Sequence, residues 1–213
     1  MTFKEKEFMN KNVPNILTIS RIVCTPIMIL MFLLPIEKGI GVFVALGIYV
    51  LGCLTDFFDG KIARKYNLIT DFGKFMDQIA DKFITTSAMV LVLFAGTITP
   101  FWLAVVILLV VVLRDILISG IRMYAANQNI VIAADIFGKV KSFFLDIASM
   151  VLMLYLGLLI NATNHTLLEI LKWTGFGLMV AGTVLSLVSC VNYSVKGIQA
   201  MKAKKIESEA KSE

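Results

Sequence analysis

The hydrophobic positions of this chain form long continuous runs, separated by short polar or glycine-containing segments. Each run is close to the ~20 residues that a helix needs to cross the hydrocarbon core of a bilayer. Charged residues gather mainly near the ends of the runs. The pattern predicts six membrane-spanning helices, approximately at Ile16–Pro35, Val42–Lys65, Asp71–Ala95, Phe101–Tyr124, Asp135–Ile160 and Leu167–Val195.

The two ends of the chain have a different pattern. Residues 1–15 mix charged positions with Phe3 and Phe8, which predicts a short amphipathic segment lying on the membrane surface. The alternative is a frayed tail. Residues 196–213 are charged and are predicted to extend the last helix as a tail. Six spans leave no room for a separate soluble domain, so residues 1–213 are predicted to form a single membrane domain.

Composition and charge agree with this architecture. The chain is 58% hydrophobic and 16% charged, with a mean hydropathy of +0.86, whereas a soluble domain is about half apolar and a quarter charged. We therefore expect an all-α integral membrane protein. Most Lys and Arg residues fall on one side of the predicted spans, and the opposite loops contain Lys38 and Lys172. This asymmetry predicts a multi-pass protein of the cell membrane with both termini in the cytoplasm. The net charge of +5 then favours anionic lipid head groups over nucleic acid as partners.

Four aspartates lie where the second and third predicted spans meet, and we call Asp56, Asp59, Asp77 and Asp81 the acidic cluster. Residues three or four positions apart share a helix face, so two helices joined by a short turn can bring all four together. Such carboxylates repel one another or take up protons unless a cation holds them. Hard oxygen ligands suit Mg²⁺, Mn²⁺ or Ca²⁺, and one or two ions are possible.

Small residues and a cation accompany the acidic cluster. Gly60, Ala63 and Gly73 leave room for a ligand to approach the helices, and Arg64 suits phosphate oxygens. The pattern indicates metal-assisted transfer at a phosphate, facing the cytoplasm. One alternative is a pair of polar helix ends facing water. Another is a divalent-cation transporter, which the nearly pure apolar composition of Val42–Leu51, Ile84–Leu93 and Phe101–Val112 disfavours.

Charged residues also lie within the fourth and fifth predicted spans. Arg114 and Arg122 are two turns apart on one helix, and Lys139 and Lys141 enter the next. Ionisable residues at membrane depth are costly and usually functional, so these cations are candidates for binding a second phosphate-bearing molecule. The alternative for Lys141 is ordinary anchoring at the cytoplasmic surface. Glycines within the spans are predicted to permit close helix packing, namely Gly47, Gly52, Gly120, Gly177 and Gly182.

The central motif, D-x-x-D-G-x-x-A-R followed after eight residues by G-x-x-x-D-x-x-x-D, resembles the signature of the CDP-alcohol phosphatidyltransferases. The resemblance implies transfer of a phosphatidyl group from CDP-diacylglycerol to an alcohol, with release of CMP. It implies that the acidic cluster holds one or two Mg²⁺ or Mn²⁺ ions and that Asp81 is the general base. Gly60, Ala63, Arg64 and Gly73 would lie beside the nucleotide, and a homodimer is expected.

Two flanking patterns resemble the bacterial phosphatidylglycerophosphate synthases of that family. The first, N-V-P-N-I-L-T-I-S-R, implies that Asn15 and Thr18 bind CDP-diacylglycerol. Its alternative makes Asn15 a helix-start residue and Arg21 an anchor that reaches to the membrane surface. The second, L-R-D-I-L-I-S-G-I-R with G-K-V-K, implies a glycerol 3-phosphate pocket at Arg114, Arg122, Lys139 and Lys141. Serine, inositol phosphate and phosphatidylglycerol stay open as other acceptors.

Overall fold

The computed structural model describes residues 13–36, 39–66, 71–127, 136–160 and 164–210. Within these ranges the side chains of residues 13–17, 57–66, 71–75, 78, 126–127, 136–137, 139, 201 and 203–210 lie outside the description. Over the described residues the chain is all-helical, with six helices: α1 Val13–Leu33, α2 Ile40–Tyr66, α3 Asp71–Phe94, α4 Phe101–Asn127, α5 Ile136–Leu159 and α6 His165–Ala210.

These helices correspond one to one with the six predicted apolar runs. The boundaries agree to within a few residues, and α6 continues, as predicted, through most of the tail to Ala210. The start of α6 is capped by the Asn164 side chain, whose Oδ1 accepts a hydrogen bond of 3.2 Å from the Leu167 amide. The predicted amphipathic segment at residues 1–15 lies outside the described residues for most of its length.

Three helices contain a described stretch long and apolar enough to cross a membrane. These stretches are Phe101–Ala125, Val140–Leu159 and His165–Ala200, and even the shortest would span about 30 Å at 1.5 Å per residue. The apolar stretches described in α1 and α2 are shorter, at Thr18–Leu33 and Ile40–Asp56. A multi-pass membrane protein is therefore the architecture, while the number of six spans and the side of each terminus stay predictions.

The described residues form two compact units, which are considered separately. The first comprises described parts of residues 1–95 and 150–172. In it α1 packs against α2 and α3, and α2 also contacts α3. Met28, Ala45 and Tyr49 are completely buried. The α2–α3 contact is close at Gly52, where an added Cβ would lie 2.4 Å from Ile84 Cδ1.

The end of α5 belongs to this first unit and contacts the start of α2. A Cβ at Gly157 would lie 2.9 Å from the Phe43 ring. Gly39, immediately before α2, has a φ of 70°, which favours glycine. A Cβ at Gly39 would also come within 2.9 Å of the Gly157 carbonyl oxygen. Two glycines thus allow the turn into α2 to lie directly on the α5 backbone.

The second unit comprises described parts of residues 96–149 and 173–213, with α4, the first half of α5 and most of α6. A Cβ at Gly182 of α6 would lie 2.8 Å from Leu145 of α5, and a Cβ at Gly138 would lie 3.4 Å from Ser189 Oγ. Leu145 lies seven residues after Gly138 on α5, and its partner Gly182 lies seven residues before Ser189 on α6. Seven residues are about two turns, so α5 and α6 pack antiparallel and in register. We call this contact the α5–α6 seam.

The prediction that glycines permit close packing is confirmed at Gly52 and Gly182. At Gly47, Gly120 and Gly177 it stays a prediction, because a Cβ at each of these would meet no described atom within 4 Å. Helix composition alone does not distinguish the two groups. The difference depends on which face of each helix meets a neighbour.

Candidate active site

A buried arginine joins two members of the acidic cluster. Arg21 of α1 donates through Nη1 to Asp56 Oδ1 of α2 and through Nη2 to Asp77 Oδ1 of α3, the latter at 2.8 Å. The Arg21 side chain is 2% exposed, whereas those of Asp56 and Asp77 are 40% and 44% exposed. The two carboxylates therefore lie within the reach of one guanidinium group and keep access to the surroundings.

The positions of these three residues follow from helix packing. Asp56 lies at the end of the described apolar stretch of α2, and Asp77 lies within α3 after its polar first turns. Because α1 packs against both helices, a long side chain on its inner face can reach both carboxylates. Thr25, one turn after Arg21, satisfies its own hydroxyl by donating to the Arg21 carbonyl oxygen at 2.8 Å.

Asp81 lies four residues after Asp77, on the same side of α3. Its side chain is 41% exposed, and the Lys82 ammonium lies 3.9 Å from its Oδ2. That exposed pair is long and weak. Thr85 donates to the Asp81 main-chain oxygen rather than to its carboxylate. The contacts that the structure gives for the Asp81 carboxylate therefore leave it able to accept a proton or bind a cation.

The side chains of seven predicted site residues lie outside the described part of the chain, so their placement stays a prediction: Asn15, Asp59, Gly60, Ala63, Arg64, Gly73 and Lys139. Thr18 is described and is 3% exposed. It lies three residues before Arg21 on α1, so the two share a helix face. That face is directed into the first unit.

The chemistry of the acidic cluster fits a hard divalent ion. The described carboxylates offer oxygen ligands of the kind that Mg²⁺ and Mn²⁺ prefer, and Asp56 and Asp77 share one partner. Two carboxylates against one guanidinium leave a net negative charge, which attracts a cation. Among the side chains that the structure describes, no three carboxylate, imidazole or thiolate groups lie close enough to hold one ion. Asp81 therefore does not join Asp56 and Asp77 in a three-carboxylate group among the described side chains, and the placement of Asp59 stays a prediction.

The interpretation of Arg21 as a surface anchor is wrong. An anchoring arginine extends to the lipid head groups or water, whereas Arg21 is buried and paired with two carboxylates. The signal for this role was present in the sequence, because an arginine inside an apolar run needs a partner. The sequence did not indicate which of the many acidic residues that partner would be.

A second group of charges lies in the other unit. Asp115 of α4 accepts from Arg114 Nη1 at 2.7 Å and from Lys141 Nζ of α5. The side chain of Lys141 is 2% exposed and that of Arg114 is 9% exposed. One carboxylate thus contacts two buried cations. The interpretation of Lys141 as a surface anchor is therefore wrong, because its ammonium group lies inside the unit.

Helix α6 supplies the remaining contacts of this group. Arg114 Nη2 donates to Ser189 Oγ. Arg122 Nε donates to Tyr193 Oη at 3.3 Å, and the guanidinium carbon lies 5.7 Å from the centre of the Tyr193 ring. We call Arg114, Arg122 and Lys141 the basic cluster. Three predicted residues are thus brought into one unit, and Asp115, Ser189 and Tyr193 are partners that sequence reasoning missed.

Comparison with known proteins identifies the family. Residues 11–192 match the CDP-alcohol phosphatidyltransferase family. A relative from Rickettsia bellii is 35% identical over 68% of this chain and 77% of its own length, and one from Bacillus subtilis is 32% identical over the same shares. A relative from Escherichia coli is 35% identical over 63% of this chain and 72% of its own. All three are named CDP-diacylglycerol–glycerol-3-phosphate 3-phosphatidyltransferase. The chain therefore belongs to the CDP-alcohol phosphatidyltransferase family.

Proposed function

We propose that the chain transfers the phosphatidyl group of CDP-diacylglycerol to sn-glycerol 3-phosphate, forming phosphatidylglycerol phosphate and CMP in phospholipid synthesis. The observation that carries this proposal is the meeting of Asp56 and Asp77 from two helices on one arginine. Two motif carboxylates that contact one side chain support a shared site in a member of this family. The printed names of the relatives support the choice of glycerol 3-phosphate.

The metal proposal assigns Asp56, Asp59, Asp77 and Asp81 as ligands of one or two Mg²⁺ or Mn²⁺ ions. When bound, a divalent ion supplies Lewis-acid stabilisation of the charge that develops on the pyrophosphate. The protein would bind the nucleotide beside the motif, through Asn15, Thr18, Gly60, Ala63, Arg64 and Gly73. Arg114, Arg122, Lys139 and Lys141 would bind the phosphate of the acceptor.

Asp81 would take the proton of the acceptor hydroxyl as that oxygen attacks the phosphorus bearing the diacylglycerol. A new phosphorus–oxygen bond forms, and the bond from that phosphorus to the CMP oxygen breaks. The electron pair leaves with CMP. The exposure of the Asp81 carboxylate and the weakness of its contact with Lys82 support this role, since a general base needs a free lone pair.

The proposed setting is the cell membrane, with six spans, both termini and the active site on the cytoplasmic side, and two copies of the chain forming a homodimer. The lipid tails of CDP-diacylglycerol would stay in the bilayer, while glycerol 3-phosphate would enter from the cytosol. The asymmetric distribution of Lys and Arg supports the orientation. The dimer rests on family resemblance alone.

The test is release of CMP from CDP-diacylglycerol by the purified enzyme in detergent micelles. Glycerol 3-phosphate, serine, inositol phosphate and phosphatidylglycerol are supplied in parallel, each with Mg²⁺, Mn²⁺ or a chelator. We expect CMP release that needs glycerol 3-phosphate and a divalent ion. Release with another acceptor alone would contradict the acceptor assignment. Metal uptake into sealed vesicles without CMP release would instead favour a transporter.

A further inference from the structure

We propose that Ser189 and Tyr193 of α6 are positioning residues, which fix the directions of Arg114 and Arg122 for an anionic phosphate group. The inference rests on the proposed function, since it assigns that phosphate to the acceptor. Both residues are almost completely buried, Ser189 at 0% and Tyr193 at 2% exposure. Both side chains are neutral, so their residue types alone do not indicate a role in phosphate binding.

The contacts show how each arginine is held. Arg114 uses Nη1 for Asp115 and Nη2 for Ser189, so two sides of its guanidinium are fixed. Arg122 uses Nε for the Tyr193 hydroxyl, and its guanidinium carbon lies over the Tyr193 ring at 5.7 Å from the ring centre. A guanidinium held on one edge or face presents its remaining N–H groups in a defined direction. Such pre-orientation reduces the entropy that is lost when an anion binds.

The chemical nature of the partners matters as much as their geometry. A carboxylate that orients an arginine also neutralises it, whereas a hydroxyl orients it and leaves its charge in place. Asp115 is shared by Arg114 and Lys141, so this single carboxylate cannot neutralise both cations. Arg122 donates to the neutral Tyr193 hydroxyl, which leaves its own charge in place. The hydroxyl partners therefore keep positive charge available for an oxyanion.

The scaffold of this arrangement is the α5–α6 seam. A Cβ at Gly138 would lie 3.4 Å from Ser189 Oγ and 3.5 Å from Arg114 Nη2, so α5 passes close to this hydrogen bond. Tyr193 lies one turn further along α6 on the same side as Ser189. Packing with α5 thus helps to determine where α6 places both hydroxyl groups.

The same helix offers a matched control. Ser186 lies three residues before Ser189, is also 0% exposed, and its Oγ has no hydrogen-bond partner among the described residues. Ser186→Ala therefore removes a buried hydroxyl from the same helix without removing a contact to either arginine. Any general effect of altering this buried helix face would appear in both serine variants.

The experiment measures the variants Ser189→Ala, Ser189→Cys, Tyr193→Phe, Tyr193→Leu and Ser186→Ala. For each, KM is determined separately for glycerol 3-phosphate and CDP-diacylglycerol, together with kcat. We expect Ser189→Ala and Ser189→Cys to raise KM for glycerol 3-phosphate about tenfold or more, because the lost bond involves a charged group. KM for CDP-diacylglycerol should change less than twofold. Tyr193→Phe keeps the ring and should have a smaller effect than Tyr193→Leu.

A second measurement needs no catalysis. The temperature of unfolding in micelles is recorded with increasing inorganic phosphate or glycerol 3-phosphate. We expect both to protect the wild type and Ser186→Ala, and to protect Ser189→Ala only at about tenfold higher concentration. A merely structural role would lower the unfolding temperature of Ser189→Ala without changing its phosphate dependence or its KM for glycerol 3-phosphate, and that result would overturn the inference.

The two proposals can fail separately. If the wild type releases no CMP with glycerol 3-phosphate, the proposed acceptor is wrong. Protection of the wild type by phosphate that weakens in Ser189→Ala would still support an oxyanion site at these arginines. If the wild type uses glycerol 3-phosphate and the Ser189 and Tyr193 variants match it in both measurements, the positioning inference is wrong and the enzyme assignment stands.

Discussion

At the scale of single residues, Arg21 determines the charge balance of the acidic cluster. It is the one described cation that contacts both Asp56 and Asp77, and it comes from a third helix. Two carboxylates this close repel each other unless a positive charge lies between them. A divalent ion bound to the same carboxylates would supply that charge as well. Arg21 and a bound metal ion are therefore both expected to reduce the repulsion between Asp56 and Asp77.

We predict that Arg21→Gln destabilises the protein and makes its stability more dependent on metal. Breaking a fully buried ion pair costs about 3–5 kcal/mol, and the loss here should be smaller because both carboxylates are about 40% exposed. Unfolding temperatures are measured with a chelator and with Mg²⁺. The variant should unfold earlier in chelator and gain more from Mg²⁺ than the wild type. Equal gains would contradict the prediction, and Lys82→Gln, which alters an exposed pair, is the control.

Asp81 carries a separate prediction at this scale. Asp81→Asn keeps the shape of the side chain but cannot accept the proton of the acceptor hydroxyl. We expect kcat for CMP release to fall about 10²- to 10⁴-fold, the usual contribution of a general base. Excess Mg²⁺ should not restore it, which separates lost proton transfer from weakened metal binding. Lys82→Gln should stay close to wild type, and undiminished activity of Asp81→Asn would remove the assignment.

At the scale of helices, the α5–α6 seam shows why some glycines matter and others do not. Gly182 lies against Leu145, whereas a Cβ at Gly177, five residues earlier on the same helix, would meet no described atom within 4 Å. An α-helix has 3.6 residues per turn, so two positions five residues apart face different directions. Hydrophobic composition is similar around both, and only the neighbouring helix distinguishes them.

The packing at the α5–α6 seam predicts that alanine at Gly182 and at Gly177 has opposite effects on stability. A Cβ at Gly182 would lie 2.8 Å from Leu145 Cγ and Cδ2, so Gly182→Ala should lower the unfolding temperature, with a loss of about 1–3 kcal/mol from overpacking. Gly177→Ala adds a methyl group to open space and should be neutral or stabilising by up to about 1 kcal/mol, because Ala favours the helix. Thermal unfolding in micelles measures both. Equal shifts in the two variants would contradict the described packing.

Sequence patterns predicted the helices well and their rotations poorly. Apolar runs near 20 residues long locate α1 to α6, because runs of that length are predicted to form helices that cross a bilayer. A motif spacing can also place Asp77 and Asp81 on one helix face. The partner of Arg21 and the burial of Lys141 depend on how each helix is turned against its neighbours. That rotation is determined by side-chain packing between distant residues, which a single sequence does not reveal.

At the scale of the whole molecule, the contacts among α4, α5 and α6 show the relative directions of these three helices. Consecutive spans must alternate in direction, and α5 and α6 are antiparallel where they contact. The order of the arginine contacts agrees, because Arg114 meets Ser189 and the later Arg122 meets the later Tyr193. Helices α4 and α6 therefore run in the same direction, as helices separated by one span should.

Six spans of alternating direction, with most Lys and Arg on one side, predict that both ends of the chain lie in the cytoplasm. Epitope tags at either terminus should resist protease in intact spheroplasts and be cleaved in inside-out vesicles. A tag inserted beside Lys38 should show the opposite behaviour, because that loop lies on the sparsely charged side. Termini exposed on different sides would contradict six spans and require an odd number.

The pairing of Arg21 also has a consequence for biogenesis. Arg21 precedes Asp56 by 35 positions and Asp77 by 56. During translation it is therefore synthesised well before either of the carboxylates that pair with it. A lone guanidinium is poorly tolerated in hydrocarbon. The first helix should therefore be retained by the translocation machinery, or sit shallowly, until the third has been synthesised. Nascent chains truncated before Asp56 are expected to integrate less firmly than those extending beyond Asp77.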